Sequence, residues 1–72
     1  MKDTDATTKK IAKRLRTVRI ERNLTQAQVA DKADLNTNYY AKIERGEIRP
    51  SIATYEKLAK VLKITSTELF PF

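Results

Sequence analysis

The sequence predicts an all-α domain of five short helices, and three observations carry that prediction. Glycine occurs once and proline twice in 72 residues, too little punctuation for β-hairpins or long loops. No stretch alternates polar and apolar residues for long enough to make a strand, whereas apolar residues recur at three- and four-residue spacing. The segments so marked are separated by residues that begin and end helices. Thr25, Asn36, Ser51 and Thr65 each stand just ahead of a helical run, and Gly46 stands just behind one. At 8.3 kDa the chain makes one domain, too small to hold both a scaffold and a large catalytic cleft.

Met1 to Thr7 are polar and unpatterned and read as a mobile arm, leaving residues 8–72 as the folded domain. From about Thr8, the residues Ile11, Leu15 and Val18 fall on one stripe of an amphipathic helix that runs to near Asn23. Lys13, Arg14 and Arg16 lie off that stripe. Thr25 and Gln28 have capping-box spacing, so a second helix runs from Gln26 to about Ala33 and buries Val29, Ala30 and Ala33. Asp34–Leu35 breaks it. Asn36 caps a third helix, through Arg45, that buries Tyr40 and Ile43. Gly46 supplies a left-handed C′ residue, Pro50 forbids simple continuation, and Ser51 caps a fourth helix. The core stripe of that helix is Tyr55, Leu58, Ala59 and Leu62, with Ile52 at its entrance. Thr65 and Glu68 repeat the capping-box spacing for a last turn, Ser66 to Phe70.

Composition removes whole classes of function. The chain has no cysteine and no histidine, so disulfides, thiolate metal sites and the commonest general base are all excluded. No acid–base pair, partnered nucleophile or phosphate-cradling glycine loop is visible, which argues against an enzyme and against any metal or cofactor. Apolar runs are far short of a membrane span, and the polar start lacks the apolar stretch of a signal peptide; both point to a cytoplasmic protein. Fifteen Lys+Arg against nine Asp+Glu give a net charge of +6, a balance that fits nucleic acid or another anionic partner. A small domain often carries a charge of about 2–8 for solubility alone, so placement says more than the total. Residues 1–24 carry +5 and residues 25–72 only +1.

The segment around Asp34–Leu35 joins two short helices through a tight turn, the spacing of a helix-turn-helix. Ala30 is small enough to let the two helices cross closely, and Val29, Leu35, Tyr40 and Ile43 would lock the crossing. Any small helical protein contains helix pairs; the residues themselves are more specific. Leu24-Thr25-Gln26-Ala27-Gln28-Val29-Ala30, Tyr39-Tyr40-Ala41-Lys42-Ile43-Glu44-Arg45-Gly46, Pro50-Ser51, Leu58-Ala59-Lys60-Val61-Leu62 and Glu68-Leu69-Phe70 resemble the lambda-repressor/Cro-like helix-turn-helix family over roughly residues 9–70. Three positions depart from the family pattern: Asp34 replaces a usual glycine, Tyr40 an aliphatic residue and Tyr55 a leucine. They bear on packing, with the Tyr40 ring expected at a core edge and its hydroxyl satisfied.

The resemblance implies sequence-specific binding of double-stranded DNA by a small transcriptional regulator, a repressor or controller, with the third helix in the major groove. Thr37, Asn38 and Lys42 would face the bases. Asn bonds adenine N6/N7 in bidentate fashion, and Lys donates to guanine O6/N7. Arg14, Gln26, Tyr39, Arg45 and Arg49 would contact phosphates. Arg19 and Glu44 match a pair that ties the first helix to the third and holds the recognition helix in place. Family members usually bind palindromic operators as two-fold dimers, and Leu69, Phe70 and Phe72 offer apolar surface for such a contact; folding back onto Ile11, Leu15 and Leu62 is the alternative for the two aromatic rings. A protein-binding module on the same fold, antitoxin-like or a coactivator adaptor, is the competing function, and sequence-selective binding of DNA distinguishes the two.

Overall fold

A computed structural model describes residues 5–70. These residues form α1 (Ala6–Glu21), α2 (Gln26–Lys32), α3 (Thr37–Glu44), α4 (Ile52–Leu62) and α5 (Ser66–Leu69), with no strand among them. The first helix starts earlier than the apolar stripe indicates. Asp5 is its N-cap, the carboxylate accepting the Thr8 backbone N–H at 2.8 Å. Thr8 continues the buried stripe of Ile11, Ala12, Leu15 and Val18, but as a polar residue it hides the pattern in the sequence. The arm expected over residues 1–7 is therefore corrected: Asp5, Ala6 and Thr7 belong to the helix and its cap, and residues 1–4 lie outside the described residues.

The other helix starts follow from the capping residues. Thr25 and Gln28 exchange hydrogen bonds of 3.0 and 2.8 Å, and Thr65 and Glu68 exchange bonds of 3.1 and 2.9 Å, so both capping boxes are closed. Asn36 accepts from Asn38 and Tyr39, and Ser51 accepts from Thr54.

The first four helices all end in one motif. A left-handed residue follows each one: Asn23 at φ 58°, Asp34 at 58°, Gly46 at 74° and Lys63 at 59°. The next N–H then reaches back five residues, from Leu24 to Arg19, Leu35 to Ala30, Glu47 to Lys42 and Ile64 to Ala59, at 2.8–3.1 Å. At three of these ends the residue after the left-handed one is apolar and packs against the core (Leu24, Leu35 and Ile64). At the fourth it is Glu47, which is exposed, and Ile48 packs in its place.

Ala30 is fully buried where α2 meets α3, and Val29, Tyr40 and Ile43 close around it. Leu15, Leu58 and Leu62 fill the centre, so the stripes read from spacing are the ones that face inward. Ile52 departs from this, 62 % exposed at the start of α4. The C-terminal turn also corrects an expectation. Leu69 is 1 % exposed and fills the domain's own core, so it offers no surface to a second copy. Phe70 is half-buried and folds back onto the core that includes Ile11, Leu15 and Leu62, meeting Tyr55 edge to face with ring centres 5.5 Å apart. Phe72 lies outside the described residues. A last tie joins distant helix ends: Arg22, the C-cap of α1, donates from Nε to the Leu62 carbonyl at 2.9 Å and from Nη2 to that of Lys63 at 3.5 Å.

Candidate nucleic-acid interface

A helix serves as a reading head only if the rest of the domain fixes it. Two helices hold α3 through one polar network. Arg19 of α1 meets Glu44 of α3 in a two-pronged pair, Nε to Oε2 at 2.8 Å and Nη2 to Oε1 at 2.9 Å. Its remaining Nη1 donates to the Leu24 carbonyl at 2.8 Å, a geometry a lysine cannot reproduce. Gln26 at the start of α2 donates from Nε2 to Glu44 Oε1 at 3.1 Å. One carboxylate thus gathers α1, α2 and α3.

The Glu44 side chain is only 2 % exposed. Burial pushes its pKa up, but hydrogen bonding, from Arg19 foremost, outweighs that and holds it below the usual carboxylate range. Tyr40 lies against this pair, fully buried. Its hydroxyl lies beside the Arg19–Glu44 pair and interacts with both side chains; the ring sits inside the core rather than at the core edge expected from the sequence. Burial first, then the neighbouring Glu44 carboxylate, drives its pKa far above the ordinary phenol value.

With its inner side so fixed, α3 turns Thr37, Asn38 and Lys42 to solvent, and Tyr39 is 38 % exposed beside them. Gln26, half-buried, is shared between Glu44 and the surface. After α3 the chain turns sharply at Gly46, where an added Cβ would come 3.2 Å from Lys9 Cγ and 3.5 Å from Lys9 Cα. Arg45 and Arg49 flank this turn, and each is held by a carboxylate. Arg45 forks onto Glu47 at 2.7 and 3.2 Å, and Arg49 meets Asp5 at 3.3 Å. Lys9, Lys42, Arg45 and Arg49 therefore surround the turn together with Asp5 and Glu47.

Arg14 stands apart from this group, on the α5 side of α1, in a cleft with Lys10, Lys13, Thr17 and Leu69. Its charge there acts on Glu68. Sequence reasoning missed Asp5 and Glu47. Asp5 could have been found as a cap from the threonine three residues on, whereas its pairing with Arg49, 44 residues away, leaves no local signal. Among the described residues no cluster of acidic side chains is placed to hold a metal ion, and no helix is long and apolar enough to cross a membrane.

The profile of the Helix-turn-helix family matches residues 15–69. The chain is 44 % identical over 54 residues to the immunity repressor protein of Bacillus phage phi105, a match covering 75 % of this chain and 38 % of that protein. Among solved structures it is similar to the restriction-modification controller protein C.AhdI from Aeromonas hydrophila, with a TM-score of 0.87 and 35 % identity, covering 92 % of this chain and 100 % of that one. It is also similar to the controller protein C.Esp1396I, solved as a tetramer in complex with its natural 35 base-pair operator, at a TM-score of 0.82 and 25 % identity, covering 88 % of this chain and 83 % of that one. The chain spans about half the length of the curated relatives it matches.

Proposed function

The chain belongs to the helix-turn-helix family, and from that premise we propose that it is a small transcriptional regulator that binds double-stranded DNA with α3 in the major groove. The observation that carries this reading is the Arg19–Glu44–Gln26 network, which fixes α3 against α1 and α2 while leaving its polar side open. Asn38 and Lys42, one helical turn apart, reach base edges from one side of the helix, and Thr37 touches a thymine methyl or a phosphate. Gln26, Tyr39, Arg45 and Arg49 border that side and take the phosphate backbone. Arg14, in the cleft with Lys10 and Lys13 on α1, takes a further phosphate. Such a regulator works on the nucleoid in the cytoplasm, as a homodimer on a palindromic operator, and it needs no cofactor and performs no catalysis. The phage repressor and the operator-bound controller among its relatives support this reading.

Selection of bound duplexes from a random pool tests it, followed by the same selection with variants. Asn38→Ala and Lys42→Ala should each cost about 1–3 kcal/mol on the preferred site and relax preference at one base pair. Tyr39→Phe should weaken all sequences evenly, because a phosphate contact carries no base information. A pool that shows no enrichment, or a Lys42→Ala variant with unchanged preference, would remove the base-reading assignment.

A further inference from the structure

The turn after α3 carries one carboxylate, Glu47, that packing does not explain, and a second, Asp5 from the start of α1, reaches the same turn. At the ends of α1, α2 and α4 the residue following the left-handed position is apolar and seals the motif against the core. At the end of α3 that position holds Glu47, whose side chain is 51 % exposed and forks onto Arg45, itself 53 % exposed. An exposed pair of this kind adds little to stability. Asp5 already serves α1 as its N-cap through one oxygen, and its other oxygen meets Arg49. These carboxylates stand among four cations, Lys9, Lys42, Arg45 and Arg49, on the side of the domain that offers α3 to a partner.

We infer that Glu47, with Asp5 as its counterpart on the other flank of the turn, is an internal counter-ion that a DNA phosphate displaces from the loop arginines, so that these two acids set the affinity and the salt dependence of binding. The inference rests on the DNA-binding reading above and deepens it. A phosphate arriving at Arg45 finds its two forked donors taken by the Glu47 carboxylate. Binding exchanges one anion for another, and the displaced carboxylate stays close enough to repel the newcomer. The gain from each arginine is thereby reduced in a way that does not depend on base sequence. Hydrogen bonds from Arg45, and secondarily the Arg45 and Lys42 charges, hold Glu47 below the usual carboxylate range, so at neutral pH this competitor is always ionised.

Fluorescence anisotropy with a selected duplex and with an unrelated one, over a salt series, tests the inference on Glu47→Gln, Arg45→Ala and the double variant. Asp5→Asn serves as a second probe, since asparagine keeps the N-cap. Glu47→Gln should bind both duplexes about three- to tenfold tighter at low salt, with the advantage fading as salt rises. The slope of log K against log salt should steepen by about 0.9. The gain should be clearly larger with Arg45 present than in the Arg45→Ala background, and Asp5→Asn should behave like Glu47→Gln. An unchanged or weaker affinity for Glu47→Gln overturns the inference, and so does an equal gain with and without Arg45, which would reflect net charge alone. If the folded wild-type chain binds neither duplex at any salt, the DNA-binding reading itself fails and takes the inference with it.

Discussion

Glu44 is the residue on which most of the architecture turns, because one carboxylate serves three helices. Glu44→Ala would leave Arg19 without its partner at a side-chain exposure of 13 % and free Gln26 as well. Loss of one member of a buried pair costs about 3–5 kcal/mol, toward the lower end here because water reaches Arg19. The melting temperature and DNA affinity should fall together; a variant with both unchanged would reduce the pair to a surface contact. The pair also has a pH signature. With its folded pKa depressed, Glu44 contributes stability above its ordinary value of 4.5, and that contribution is lost as pH falls through the folded value. Tyr40 behaves in the opposite sense. Its folded pKa lies above the ordinary 10.0, so its neutral form favours the fold up to that pH and the advantage disappears as pH rises further. Tyr40→Phe removes a buried hydroxyl that interacts with Glu44 and Arg19, so thermal melts should show a modest loss of stability at neutral pH, about 0.5–1.5 kcal/mol. The variant should still resist alkaline unfolding better than the wild type, because it has no phenol to ionise. An unchanged or higher melting temperature at neutral pH would show that the hydroxyl contributes nothing to the pair.

Helix starts and helix stops differ in how legible they are. Thr25, Asn36, Ser51 and Thr65 mark their helices openly, because a side-chain oxygen three residues ahead of a free N–H is a local and chemical signal. Stops depend on backbone angle, and only Asn23, Asp34 and Gly46 advertise theirs. Lys63 takes the left-handed conformation at φ 59° with no side-chain reason to do so, and no sequence signal foretold it. Asp34 takes the left-handed conformation at φ 58°. A residue with a Cβ loses about 1–2 kcal/mol in that region, partly recovered by the tolerance of aspartate. Asp34→Gly should therefore stabilise the domain by up to about 1 kcal/mol, raising a melting temperature for this size by about 4–8 °C. A drop on calorimetry would mean that the greater freedom of glycine in the unfolded chain outweighs the relieved strain.

At the scale of the whole molecule, charge and core place opposite demands on the sequence. The five-helix order and most of the buried stripes were readable from spacing and capping residues, apart from Thr8 and Ile52, whereas the outward residues of α3 were read from the family resemblance. The partners of the loop arginines were legible in neither, because they join residues 44 positions apart or depend on how a turn folds. The C-terminal Leu69 was misread for a related reason: whether an apolar residue covers its own core or a second copy depends on where α1 passes, which sequence spacing does not specify. With most of the positive excess on the first 24 residues, binding should be governed by phosphate neutralisation. For about four to six phosphates per monomer, log K should fall against log salt with a slope near −4 to −5. An affinity indifferent to salt would contradict it.

The tie from Arg22 to the carbonyls at the end of α4 has a consequence in time. It closes a loop of 40 residues, whereas the α2–α3 crossing joins neighbours in sequence. Closing a loop this long costs more chain entropy than joining neighbours, so the tie is expected to form after the transition state. Arg22→Ala should accordingly leave the refolding rate nearly unchanged while accelerating unfolding, and stopped-flow chevrons with parallel folding limbs would show it. The clamp then acts as a latch on the lifetime of the folded domain: it governs how long a molecule stays closed once assembled, and the speed of assembly is set elsewhere in the chain.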